Sequence, residues 1–377
     1  MAMSLRERIL SVYCGGVPDV VPYMLDLSHW FYHRNRLPWD LSVAYEAPER
    51  ELIDCHRRFG CGFYIANLAS FYSVAFPEDV TVETHKRVRE DGAPEIVWRV
   101  RSPLGEIERR RVWEESTYAW GVSRWGVRTE QDLAVLAHAM SGRRFAPKWE
   151  SYRAWVDEVG QLGVVYISPG YSAMGHLLHY WMGVEGVAYA TVDFPEALRR
   201  AVDQINANNL ELVDLLARSP AEVVIMGDNF SSDVQSPAFF ARWSKAYYDE
   251  AVRRLHAAGK RVAVHIDGRL RGSIRMICQS GADCGDAITP TPMGDLTPAE
   301  CRDEAGPDFI LSGGVSPDLW LSGVPVDVFK AKVVEWLELR RRSPRLIAGA
   351  GDQVPPGADE DRIRIMRDLV EKHGRYC

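Results

Sequence analysis

KRVAVHID, residues 260–267, sets small and β-branched apolar residues (Val262, Ala263, Val264) against an abrupt polar end at His265, Ile266, Asp267 and Gly268. Strand geometry sends alternate side chains to opposite faces, so His265 and Asp267 share one side as the strand finishes. In parallel α/β architectures, ligands bind at the carboxyl ends of the strands. An imidazole beside a carboxylate at such an end suits a metal pair or an acid/base pair.

Working outward, the same rhythm recurs. An amphipathic helix with a Ser cap is predicted over 4–13, then a strand over 20–27 that closes on Asp26, His29 and Trp30. The aromatic and basic stretch 30–40 (WFYHRNRLPWD) is a binding-loop candidate, and CGFYIAN (61–67) a second strand. Between 81 and 113 the period becomes two, with turn residues at Asp91-Gly92 and at 102–105, which predicts an antiparallel insertion of two or three strands. After a helix over 133–140, strands follow at 164–167, 222–226, 260–267, 283–289, 309–311 and 345–350, with helices at 194–218, 237–258 and 359–373. Asp193 and Ser236 are the expected caps of the first two of these helices. Eight strands alternating with helices predict a (β/α)8 TIM barrel, one domain over 1–377 carrying a β-hairpin insertion at 81–113.

Composition fits that fold. A chain of 377 residues with 46% hydrophobic and 26% charged residues can fill a large core and still present an ordinary surface. A net charge of -7 argues against nucleic acid as a partner. With no run of 18 apolar residues and no leader-like start, neither a membrane span nor secretion is expected, and a cytoplasmic location is. Seven scattered cysteines without CxxC predict reduced thiols rather than a disulfide scaffold. The 12 Trp and 15 Tyr suit an aromatic-walled site for a small molecule.

The polar strand ends form a candidate set. Asp26, His29, Trp30, Tyr171, His176, Asn229 and Thr289 are candidates for binding substrate, and Asp228, His265 and Asp267 for catalysis. A divalent metal on His265, Asp267, Asp286 and Asp352 is chemically reasonable, because zinc accepts imidazole and carboxylate together. Metal-free acid/base work by a buried carboxylate competes with it. So does a structural reading, in which Asp228, Asp267 and Asp286 cap helices or pair with arginines such as Arg269. Cys284 shares the face of Asp286, and a lone cysteine there is more often a small core residue.

These segments carry a resemblance. RERILSVYCGGVPDVVP (6–22), GDNFSSDVQSPAFFARW (227–243), HAAGKRVAVHIDG (256–268), GADCGDAITPTPMGDL (281–296), ILSGGVSPDLWLSG (310–323) and LIAGAGDQVPPGADEDRI (346–363) resemble the uroporphyrinogen decarboxylase superfamily. The likeness runs nearly end to end and is weakest over roughly 30–120. It implies a (β/α)8 barrel, and either decarboxylation or methyl transfer involving a corrinoid.

The true decarboxylases carry an Arg-Gln-Ala-Gly-Arg-Tyr run after the first strand, where this chain has MLDLSHWFYHRNR (24–36). The aspartate of their Phe-Ser-Asp motif has no counterpart in CGFYIAN, and their histidine near the last strand falls at Ala350-Gly351. The zinc-dependent methyltransferase branch has His-x-Cys at the fifth strand and a distal Cys. Here His265 matches the histidine, Asp267 takes the first cysteine's place, Asp286 matches an intervening acid and Asp352 falls at the distal position. Oxygen in place of sulfur makes the site harder and admits Mn, Fe or Mg beside zinc.

The resemblance therefore implies a metal-assisted methyltransferase, acting on a methoxylated small molecule with a corrinoid-binding protein as partner, and a homodimer. A metal-free lyase on a small carboxylic acid and a non-catalytic ligand-binding barrel stay open beside it.

Overall fold

The alternation in 260–267 becomes the strand Arg261–Ile266, second from one edge of a five-stranded parallel sheet. Its neighbours are Val223–Phe230 on one side and Cys284–Ile288, Ile310–Val315 and Leu346–Ala350 in turn on the other. Both faces are buried, so these strands read as nearly continuous apolar runs. The structure is a computed structural model describing residues 2–43, 45–64 and 71–376. The end of the predicted second strand, 65–67, lies outside the described residues.

Parallel pairing continues past both edges of this sheet. Met24–Leu25 pairs with Gly62–Phe63, and single parallel bridges join Tyr23 to Ala348, Phe63 to Gly163, and Ile167 to Val224. One core cluster draws Met24, Tyr64, Tyr166, Ile225, Ala263 and Cys284 together with Ile310 and Ile347, taking a residue from every one of these segments. The helix Leu5–Tyr13, held by the expected Ser4 capping box, plugs one end of that cluster with Ile9, Val12 and Tyr13. Lys260 binds the strand starts together by donating to the carbonyls of Ser219 and Ala221.

The period-two segment forms strands Thr81–Val88, Pro94–Ser102 and Gly105–Glu114, and a fourth strand, Ala119–Arg124, extends the antiparallel sheet beyond 113. Its Val100 and Ile107 pack on Leu133 and Leu136 of the helix Glu130–Ser141. Two helix expectations need correction. The predicted helix 237–258 is two helices, Pro237–Trp243 and Lys245–Ala257, interrupted at Ser244, whose hydroxyl donates to Gln235. Asp193 ends a preceding helix, Gly183–Asp193, instead of capping the next one, and Phe194 holds the cap position ahead of Pro195. Among the described residues no helix is long and apolar enough to cross a membrane.

Candidate active site

Register brings the central pair together. His265 stands opposite Asp286 in the ladder between adjacent strands. Its Nδ1 lies 3.1 Å from Asp286 Oδ2. A carboxylate only accepts, so Nδ1 carries the hydrogen and Nε2 is left facing Asp352 Oδ1 across 3.8 Å. Asp286 is saturated: Tyr64 also donates to Oδ2 at 2.5 Å, and Ser312 donates to Oδ1 at 3.3 Å.

Electrostatics follow from that placement. Burial pulls the His265 imidazolium down, but the hydrogen bond to Asp286 and the charges of Asp352, Asp286 and Asp267 outweigh it and lift the group to about 9. Burial and its acidic neighbours push Asp352 up, against the pull of His265, although 36% of its side-chain surface stays open. Burial pushes the Tyr64 hydroxyl well up, so Tyr64 remains a proton donor to Asp286. These shifts favour the protonated form of His265, hydrogen-bonded to Asp286.

His265 lines a cavity of about 640 Å³, within the range of small-molecule sites. Tyr72, Phe76, Leu136, Met140, Tyr180 and Trp181 give it apolar walls. The antiparallel sheet contributes Val82, Trp98, Val100 and Arg109, and the aromatic stretch contributes Trp39 and Asp40. A second hollow of about 20 Å³, room for about one water, lies among Asp26, Tyr64, Asp286, Ser312 and Asp352.

Of the other expected binding residues, Tyr171, His176 and Asn229 line the cavity. Burial drives His176 down to about 3, so it enters neutral. Asn229 sits at φ 46, in the bulge where the ladder jumps from His265–Gly227 to Ile266–Phe230.

The same bulge turns Asp228 inward, where its surroundings favour an anchoring role over proton handling. Asp228 is fully buried, accepts from the Ser172 amide at 2.7 Å and from the Ser172 hydroxyl, and does not line the cavity. It anchors the start of the helix Ala173–His176. Trp30 is buried, with its indole donating to the Ala358 carbonyl, and does not line the cavity. Thr289 clamps two strands by donating to the Gly351 carbonyl, and His29 stacks on Trp39 and contacts the Tyr118 carbonyl. Asp26 accepts from the Ser28 amide and hydroxyl and faces only the small hollow.

The expected metal ligands are also rearranged. Asp286 is committed to His265, Tyr64 and Ser312, and among the described residues no three His, Cys, Asp or Glu side chains converge to hold a metal ion. The residues as placed therefore do not fit the four-ligand centre. Cys284 is fully buried in the core, as the bland reading has it.

Three contributors escape sequence reading. Tyr64 is one of two aromatics in CGFYIAN and carries no motif. Ser312 lies under a Gly-Gly pair, and Arg109 is one of three consecutive arginines in a strand, with nothing in the sequence to single it out.

The role assigned to Asp228 is testable. Burial raises its carboxyl from 3.8 to about 6, so its contribution to stability is complete below about 4 and lost as pH rises through about 6. Asp228→Asn is expected to keep activity within about tenfold and to flatten this pH dependence, which is on the order of 2–3 kcal/mol. A kcat loss of roughly 10²–10⁴-fold would make it a proton-transfer residue after all.

Residues 127–373, well over half of the chain, match the family model of uroporphyrinogen decarboxylase (URO-D), and the chain belongs to that family. No curated protein matches the sequence. Among solved structures, a methyltransferase from Methanosarcina mazei is similar with a TM-score of 0.62 at 15% identity, over 98% of this chain and 99% of that chain. D-psicose 3-epimerase from Clostridium cellulolyticum H10 follows with a TM-score of 0.37 at 11% identity, over 60% of this chain and 83% of that chain. The first likeness shows a shared fold, and function has to be argued from the site.

Proposed function

We propose that this chain is a single-domain (β/α)8-barrel enzyme, its antiparallel sheet an insertion, that moves a methyl group from a small methoxylated substrate to a corrinoid on a carrier protein. Support for the barrel comes from the succession of parallel pairings and from the core cluster fed by every strand segment. Support for methyl transfer comes from the shared fold with a methyltransferase. The observation that carries the reading is His265, fixed through Nδ1 by Asp286 at the wall of an apolar cavity.

A reduced corrinoid, when bound, would supply the electron pair for the methyl group, and the rest falls to residues of this chain. The methyl carbon–oxygen bond breaks, its electron pair stays on oxygen, and that oxygen takes the proton of His265. An imidazolium at about 9 is well matched to a phenol, whose ordinary value is about 10, and poorly matched to an alkoxide. The chemistry therefore favours aryl methyl ethers. No step is assigned to a divalent metal, because the donors as placed do not assemble a ligand set.

A lyase reading is supported by the family, since the same imidazolium could protonate the carbanion left by carbon dioxide. The two separate in one experiment. The protein is incubated anaerobically with a panel of methoxyarenes and aryl acids and with cob(I)alamin, and both methylcobalamin and carbon dioxide are measured. Methylcobalamin formation is the expected result. Carbon dioxide without methylcobalamin supports the lyase, and neither product across the panel removes the proposal.

A further inference from the structure

Arg109 lies on the strand Gly105–Glu114 and lines the same cavity as His265. Its sheet is crowded with arginines, and each of its neighbours has a partner. Arg99, Arg110 and Arg124 pair with Glu108, Arg101 with Glu83 and Glu106, and Arg111 donates to the carbonyls of Trp120 and His179. Arg109 differs. Among the described residues it forms no ion pair, and its Nε and Nη1 are buried without a hydrogen-bond partner. Arg143, the other guanidinium lining the cavity, donates to the Met140 carbonyl and to Asn208 and Asn209.

What surrounds Arg109 is aromatic. Its guanidinium carbon lies 4.1 Å from the ring centre of Trp98, 4.8 Å from Tyr180 and 5.0 Å from Trp181. Rings attract a cation through their faces but accept no in-plane hydrogen bonds, so the N–H edge is left unsatisfied. Burial pulls the group down to about 9, the mark of a charge lacking a counter-charge. The carboxylate of Asp40 also lines the cavity, but it is engaged by Lys86 and Ser42. A buried guanidinium with unmade hydrogen bonds is costly until an acceptor arrives, and its planar fork matches a carboxylate.

We propose that Arg109 is the anchor for a carboxylate on the substrate, so that the cavity takes a small aromatic acid with its anionic end at Trp98, Tyr180 and Trp181. The inference shares the cavity with the proposed function but not its reaction. Binding without any methyl acceptor therefore tests it separately. A true aromatic acid site would survive even if methyl transfer failed.

The probes are the three methoxybenzoate isomers and neutral methoxybenzene, titrated calorimetrically into wild-type protein, Arg109→Met and Arg109→Lys. At least one acid is expected to bind the wild type 100-fold or more tightly than methoxybenzene. Arg109→Met should lose that preference, and Arg109→Lys should restore part of it. Removing an unpaired buried charge should also leave the ligand-free Met variant with a Tm equal to or above wild type. Equal wild-type affinity for acid and neutral probe, no binding of any acid, or full acid affinity in Arg109→Met overturns the proposal. The wild-type comparison decides even if a variant fails to fold.

Discussion

Replacing His265 with Asn should lower kcat for methyl transfer by roughly 10²–10⁴-fold, the range for a lost general acid, with KM within a few-fold of wild type. The proton matters only after substrate is bound, so binding should survive. The pH dependence has a definite sign. The protonated form is the working one and its pKa lies above the ordinary 6.5, so activity should hold through neutrality and fall as pH rises through about 9. The stability contributed by the raised pKa runs the same way, complete below about 6.5 and lost through about 9. Asp286→Asn should shift the falling limb toward lower pH by weakening the bond that holds the proton. A limb that stays at about 9 in that variant would contradict the positioning role of Asp286.

The largest expected effect on stability lies at Gly314→Ala. The strand Ile310–Val315 passes beneath Trp336, which is fully buried and donates to the Ile347 carbonyl. A Cβ at Gly314 would sit 2.1 to 2.4 Å from atoms of that indole, at a φ of +111 that side chains rarely adopt. Neither strand nor ring can yield, because both belong to the closed core. The variant should lose about 3 kcal/mol or more, read as a fall in the urea midpoint, or fail to fold at all. A loss below about 1 kcal/mol would show that the strand can move. Ser312-Gly313-Gly314 is a tight backbone that would suit close approach of a ligand, and its glycines instead admit Trp336 and the backbone of Ile288.

That contrast indicates what the sequence disclosed. The apolar strand runs with polar ends are local signals, so the order of strands, and the placing of His265 and Asp286 at the ends of successive strands, could be read from period and spacing. The antiparallel segment was legible for the same reason, except Ala119–Arg124, whose pattern is blurred by Gly121. Asp228 and Asn229 read alike in sequence, but the bulge after Gly227 buries one and leaves the other on the cavity wall. Thr289 and Trp30 looked like site residues because polar and aromatic groups at strand ends serve either ligand or neighbour, and only packing distinguishes them. Arg109 was invisible because its distinction is the lack of a partner, a property of the fold and not of the residue.

The central claim is that His265 is a proton donor held as an imidazolium by Asp286 and Asp352. Nitrogen-15 NMR of histidine-labelled protein measures this directly, with His265→Asn identifying the resonances. Both ring nitrogens should appear protonated at pH 7 and titrate near pH 9. A neutral ring at pH 7, with Nε2 unprotonated or bound to a metal, would contradict the account.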